Sequence, residues 1–305
     1  MSNTFGILAP RYTLGEEELS VESFANRKAV LEQYNMPDKQ PLWGWGFYRR
    51  TRRTRAELAS ASAADSLASA GVPSSAIDAL LVCCGDGLNY YQQNRFVGEF
   101  SAQLGLRCEF VTWVGGAGCA SLFSAAKIAQ AFVLGNTFRQ VLVVSVDKVD
   151  DDNARFQRYG IFSDSACSFI VRSAGPVDFH VAGLGVSSSP VALRSSNHDI
   201  AEKYQLIYSV FERLSADVSF PFEGSAFLGS NVFLPIQELE FSVMPVNGLI
   251  AYRNNTARYG HCSSADPFIN LIDFYADENH HAIRTAVLAS TAHGHFGVML
   301  LERHS

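Results

Sequence analysis

Residues 115–135 read Gly-Gly-Ala-Gly-Cys-Ala-Ser-Leu-Phe-Ser-Ala-Ala-Lys-Ile-Ala-Gln-Ala-Phe-Val-Leu-Gly, and the fold turns on how this stretch is read. Glycines at 115, 116 and 118 mark a loop, and Ala120 to Leu134 is an apolar, helix-compatible run that stops at Gly135. One thiol, Cys119, therefore stands where a helix begins. The first N–H groups of a helix lack intrahelical partners and carry partial positive charge, which favours a thiolate over a thiol. Such an end supplies roughly 0.3–1 kcal/mol, less than the roughly 1.4 kcal/mol of one pKa unit, so a nucleophile here needs a base beside it.

Outward from this segment the pattern alternates. Asp78 to Cys84 is a short apolar run, Tyr90 to Leu104 suits a helix, and Cys108 to Val114 is strand-like. After the Cys119 helix comes Gln140 to Val146, apolar on both faces as a strand covered by helices on both sides must be, and Ala166 to Arg172 adds another strand. Beyond Gly175 the order partly repeats. Val177 to Val186 is strand-like, Asp199 to Leu214 helical and Leu239 to Val243 strand-like; a helix starts near Pro267, and Ala286–Ser290 and Phe296–Glu302 close the chain as strands. Alternation of this kind implies an α/β fold with a mainly parallel sheet, in two similar halves, 1–174 and 175–305.

With 305 residues, 48% of them hydrophobic and 18% charged, the chain can bury a large core. A net charge of -6 argues against sequence-independent nucleic-acid binding, which needs a cationic surface. The exception is local: Arg49, Arg50, Arg52, Arg53 and Arg55 follow Trp43, Trp45, Phe47 and Tyr48. This run is either a solvated basic face or an anion dock, in which Trp45, Arg49, Arg50 and Arg53 would hold the phosphates of coenzyme A or a phosphopantetheine carrier. The six cysteines follow no metal-ligand spacing, and we expect reduced thiols in a cytoplasmic protein without a metal site. No apolar stretch reaches about 18 residues, so a membrane span is not expected.

Four segments, in order, resemble the thiolase superfamily, specifically its ketoacyl-ACP synthase III branch. Gly-Cys-Ala-Ser at 118–121 with the strand Val141–Asp147 looks like the nucleophile region; Phe162-Ser-Asp-Ser-Ala166 is similar to a Phe-Gly-Asp-Gly-Ala turn, with serines for both glycines; Arg258-Tyr-Gly-His261 is similar to a Tyr-Gly-Asn segment; and Ala289–Glu302 looks like the glycine-rich loop and last strand. The resemblance implies a five-layered α-β-α-β-α fold of two duplicated halves and a homodimer. It also implies a cysteine that takes an acyl group from an acyl-CoA or acyl-carrier-protein thioester, with no tightly bound cofactor.

The departures carry the chemistry. Condensing members place a His and an Asn beside the nucleophile; here Met244-Pro-Val-Asn-Gly248 is read in the place of Pro-His-Gln-Ala-Asn, so the His position falls on Val246, which neither donates nor accepts a proton, while His261 stands at the Asn position. A His near a thiolate serves as its base and later as an acid, which favours acyl transfer over condensation. Asp266 has two readings: a carboxylate that orients His261, as in Ser-His-Asp systems, or the N-cap of a helix whose first residue is Pro267. The first requires a turn across 261–266, since helical residues five apart face away from each other. The His-then-Asp spacing resembles that of a minority of synthase III-like enzymes that transfer acyl groups in natural-product pathways. One oxyanion donor is expected to be the Cys119 N–H and the other a backbone N–H near His293 or Gly294. Aromatics from Tyr204 to Phe233 either line an acyl cavity or pack as core, and the pair His198–Asp199 carries no assigned role.

The expected function is acyl transfer through Cys119 to a second nucleophile, in fatty-acid-like or polyketide-like biosynthesis. Decarboxylative condensation and a non-catalytic partner subunit are the alternatives.

Overall fold

The computed structural model describes residues 4–85, 87–194 and 200–304. Its main sheet has ten strands: β1 (Gly6–Leu14), β2 (Ala79–Cys83), β3 (Phe110–Val114), β4 (Gln140–Asp147), β5 (Ser165–Arg172), β6 (Phe179–Ser188), β7 (Ala226–Leu228), β8 (Ile250–Ala251), β9 (Thr285–Ala292) and β10 (His295–Arg303). Six longer helices intervene: α1 (Arg55–Ala70), α2 (Tyr90–Leu104), α3 (Ser121–Leu134), α4 (Ile200–Asp217), α5 (Leu234–Ser242) and α6 (Asp266–Ala276). Local chemistry sets several of their ends. Thr54 with Glu57 and Asn89 with Gln92 form capping boxes before α1 and α2, and Gly71 and Gly105 end these helices in the left-handed region.

The sheet order is β3-β2-β4-β5-β1-β6-β10-β9-β7-β8. From the centre outward each half reads alike, β1-β5-β4-β2-β3 and β6-β10-β9-β7-β8, and each strand of the first half has its counterpart five strands later. The pairing senses repeat as well: β2 is parallel to β3 and β4, with β4–β5 and β5–β1 antiparallel, and β7 is parallel to β8 and β9, with β9–β10 and β10–β6 antiparallel. The halves join through a short antiparallel pairing of Gly6 with His180 and Ile7 with Phe179.

The layers follow from which residues share a core. Alternate residues of β2 and β4 point to opposite faces. Leu80, Val82, Leu142 and Val144 pack with α1 and α2, whereas Ala79, Leu81, Val141 and Val143 join α3, α6 and the inner faces of β9 and β10. The outer faces of β9 and β10, through Val287, Val298 and Leu300, pack on α4. Helices α3 and α6 thus form the middle of five layers, α-β-α-β-α, and their starts carry Cys119 and Asp266.

Two expectations about the elements change. The sheet is mixed rather than mainly parallel, because β4–β5 and β9–β10 are joined without a crossover helix, which allows antiparallel pairing. Leu239–Val243 is not a strand: Leu239 to Ser242 form the last turn of α5, and the strand partner of β7 is the two-residue β8. Of the two readings of the aromatics, core packing holds for Phe211, Phe220 and Phe227, which pack with α4. The pair His198–Asp199 lies outside the described residues. Among those described, no helix is long and apolar enough to cross a membrane, and no group of three His, Cys, Asp or Glu has the arrangement to hold a metal ion.

Candidate active site

Gly116 and Gly118 have φ of +87° and +51°, and this left-handed backbone turns the chain out of β3 into a 3-10 turn, Gly118–Ala120, that leads directly into α3. Cys119 sits in that turn, one element earlier than the α-helix proper. Its Sγ lies 3.4 Å from Nε2 of His261 and 3.8 Å from Oγ of Ser263.

His261 arrives from the other half of the chain. Its N–H donates to Ile161 O at 2.8 Å and its carbonyl accepts from Ser163 N–H at 2.9 Å, a parallel bridge to the Phe162 segment. The serines of that segment hold the same strip of chain. Ser163 Oγ accepts from Arg49 N–H at 2.8 Å and donates to the Tyr259 carbonyl, and Ser165 Oγ donates to the Cys262 carbonyl at 3.4 Å. Between them the fully buried Asp164 carboxylate is gripped by Arg155 Nη1 (2.8 Å) and Nη2 (3.0 Å) and by Thr51 N–H (2.8 Å). Serines in place of two glycines therefore fasten the His-bearing strip to the turn beneath it.

A second 3-10 turn, Ser263–Ala265, supplies the bend that lets residues 261 and 266 meet. Asp266 is not the N-cap of α6, which is Ala265; its carboxylate points back. Oδ2 accepts from His261 Nδ1 at 2.5 Å and from Asn231 N–H at 2.7 Å, and Oδ1 accepts from Cys262 N–H at 2.7 Å and Asn231 Nδ2 at 3.1 Å. Behind it, Asn270 Nδ2 donates to Asn231 Oδ1 at 3.0 Å and Asn255 Nδ2 donates to Asn270 Oδ1 at 2.9 Å. His261 and Asp266 are both 0% exposed, so this carboxylate is held by four donors rather than by water. Burial opposes a charged ring, but the Asp266 carboxylate and the Cys119 sulfur outweigh it and raise the His261 pKa well above the usual imidazole value. Cys262, next in sequence, is kept a thiol by burial, which together with Asp266 pushes its pKa well up.

Other expected site residues stand elsewhere. Val246 packs against the Phe-rich cluster beneath α4 instead of facing the thiol, and the loop after β7 brings Asn231 to the site. Asn231 had no signal of its own in the sequence; the repeat does carry one, since β7 mirrors β2 and both strand ends reach the middle layer. Gly294, at φ +69°, turns between β9 and β10, and the turn packs on the nucleophile loop closely enough that a Cβ on Gly118 would meet Ala292 Cβ at 2.9 Å. His295 Nδ1 lies 2.8 Å from Ser188 Oγ; burial and neighbouring His293 lower its pKa. A cavity of about 260 Å³ opens beside the nucleophile turn, lined by Ala117, Ala120, Ser124, Ser188, His295 and Phe296 among others.

Each arginine of the expected anion dock is paired with a carboxylate. Trp45 is buried (2% exposed) between Trp43, Phe156 and Phe233. The strand Phe47–Arg50 pairs with Glu17–Ser20, which sets three glutamates against the arginines. Arg49 pairs with Glu18, Arg50 with Glu17 and Asp152, Arg52 with Glu17, Arg53 with Glu16 and Arg55 with Asp150. Hydrogen bonds from the Thr51 hydroxyl and Arg52 N–H hold Glu16 down at about 2, so these carboxylates remain charged partners.

No family model and no curated protein sequence matches the chain. Solved structures do. ChlB3, an acyltransferase, superposes with a TM-score of 0.78 at 14% identity over 99% of this chain and 98% of its own. OleA of Xanthomonas campestris, crystallised with lauric acid and lauroyl-CoA, gives 0.78 at 12% identity over 98% and 99%. The 3-oxoacyl-[acyl-carrier-protein] synthase III of Aquifex aeolicus VF5 gives 0.72 at 15% identity over 98% and 99%. Likeness over whole chains at so little identity shows that this chain shares the fold of these three proteins.

Proposed function

We propose that this chain is an acyltransferase in which Cys119 takes an acyl group from a CoA or acyl-carrier-protein thioester and passes it to a second nucleophile, in lipid or natural-product biosynthesis. The observation that carries the reading is the line Cys119–His261–Asp266. The Asp266 carboxylate raises the ring's pKa well above the usual imidazole value, so His261, with Nδ1 on Asp266 and Nε2 on the sulfur, is placed to take the proton of the Cys119 thiol.

The steps balance. The thiolate attacks the thioester carbonyl, a C–S bond forms, and the oxyanion is met by the Cys119 N–H and a backbone N–H near His293 or Gly294. Collapse breaks the donor C–S bond, and the leaving thiolate takes the proton from His261. Neutral His261 then removes a proton from the acceptor, whose attack on the new thioester releases Cys119 as thiolate and restores the ion pair. No step uses a metal or a bound cofactor. With the arginine run already paired to carboxylates, the thioester arm itself is the recognised part of the donor, and the cavity beside Ala117 and Ala120 takes the acyl group.

The partner is a second copy of the chain. Among the described residues β3 ends the sheet as an edge, with Phe110 and Val111 exposed on it and Tyr90 and Tyr91 exposed at the start of α2, and such an edge is covered by pairing. Six free thiols fit a reducing cytoplasm.

Incubation with a panel of acyl thioesters followed by mass spectrometry tests the reading. We expect an acyl adduct on Cys119 that is absent from Cys119→Ala. Carbon dioxide released from malonyl thioesters by the wild type but not by that variant would replace transfer with condensation, and no adduct from any donor would make the chain a non-catalytic subunit.

A further inference from the structure

Ser263 is one of four described non-glycine residues with a left-handed backbone, at φ +53°. Serine reaches that conformation only against the contact of its Cβ with the following carbonyl, so its neighbours must hold it. They do so from both sides. Cys262 N–H donates to Asp266 Oδ1, and Ser264 Oγ donates to Asp147 Oδ2 at 3.2 Å, while Asp147 Oδ1 accepts from Gly85 N–H at 2.6 Å. The side chain of Ser263 is turned inward, 3% exposed, with Oγ at 3.8 Å from the Cys119 sulfur. Gly85 makes room for it: a Cβ at position 85 would come to 2.0 Å from that hydroxyl.

We propose that Ser263 is a further catalytic residue, whose hydroxyl donates a hydrogen bond to the Cys119 sulfur as a second donor beside His261 Nε2–H. The proposal rests on Cys119 being the nucleophile. One turn of chain thus delivers both donors, His261 and Ser263, to one sulfur, and the strained residue between the two anchors is the one that aims the second. A thiolate gains from each donor, whereas a thioester sulfur is a weak acceptor. The hydroxyl therefore favours the thiolate twice, as the attacking group and as the group expelled when the acyl chain moves on.

Ser263→Gly removes the hydroxyl and accepts the left-handed backbone without strain, so it should melt no lower than wild type. The readout is alkylation of Cys119 by iodoacetamide, followed by mass on either side of neutral pH. We expect the variant's rate at pH 7 to fall about tenfold and its profile to move to higher pH, as loss of one hydrogen bond to a charged group implies. Ser263→Ala, which lacks the hydroxyl but keeps a Cβ on this left-handed backbone, should show the same fall in rate. Gly85→Ala, which leaves Ser263 in place but displaces its hydroxyl, should reproduce the shift. Profiles of Ser263→Gly and Gly85→Ala that superimpose on wild type would reduce Ser263 to a backbone role. Alkylation needs no acyl donor, so a failure of acyl transfer leaves this test intact.

Discussion

The two halves of the molecule repeat one plan yet put different chemistry at equivalent places. In the first half a 3-10 turn leads into α3 and carries the thiol; in the second, a 3-10 turn leads into α6, and its flanks carry His261 and Asp266. Both helix starts lie in the middle layer, which is why residues 142 apart in sequence come within 3.4 Å. The nucleophile loop of the first half is built from small residues, three glycines and a thiol, all at least partly exposed. The His261–Asp266 pair of the second half is buried and hydrogen-bonded on every side. A duplicated fold thus separates the thiol from the buried frame that holds its histidine.

Breaking the base half should cost most. His261→Ala removes the proton carrier, and we expect acyl loading to fall by about a thousandfold, the scale of general acid–base catalysis, measured as single-turnover adduct formation. Asp266→Asn keeps the shape and removes the charge. Burial then acts on His261 without its main opposing charge, the ring's pKa falls, and loading should fall by roughly a hundredfold and recover in part at higher pH.

The same pair makes stability depend on pH. His261 titrates higher folded than unfolded, so its contribution is fully present below about 6.5 and is lost as pH rises through the raised folded value. The melting-temperature gap between wild type and Asp266→Asn should therefore narrow at alkaline pH. Asn231→Ala leaves the backbone donor to Asp266 but removes the side-chain one, and a roughly tenfold loss of loading, with a smaller pH shift than that of Asp266→Asn, should rank it below the carboxylate.

The smallest effect sharpens the contrast from outside the site. Arg50→Ala breaks pairs with Glu17 and Asp152 at the surface, and exposed pairs contribute about 1 kcal/mol or less. Chemical denaturation should show a change of that size, and KM for a CoA donor should stay within about twofold of wild type if the arginines serve Glu16, Glu17 and Glu18 rather than phosphate. A rise in KM of tenfold or more would return the run to a carrier-binding role.

Much of this is legible in the sequence. The glycines before Cys119, the both-face apolar strand Val141–Val146 and the repeated alternation encode α/β layers through local periodicity, and the helix Tyr90–Leu104 falls at the bounds its capping residues mark. Pro267 likewise marks the start of α6. Less legible was the meaning of Asp266, because a cap and an orienting carboxylate share one signature, Asp before Pro. Charge pattern alone also leaves out the partners of the arginines: β-pairing sets Glu17 and Glu18 against them, with Glu16 alongside, from more than thirty residues away.

By itself, then, the sequence determined the elements and the thiol at a helix start, because helix, strand and cap signals act over a few neighbouring residues. Only the tertiary structure decided that Asn231 rather than Val246 reaches the site, that Asp266 turns back to His261, and that Ser263 is bent toward the sulfur. Those outcomes depend on how two halves pack around a shared middle layer, where contacts join residues far apart in the chain and no local pattern records which will meet.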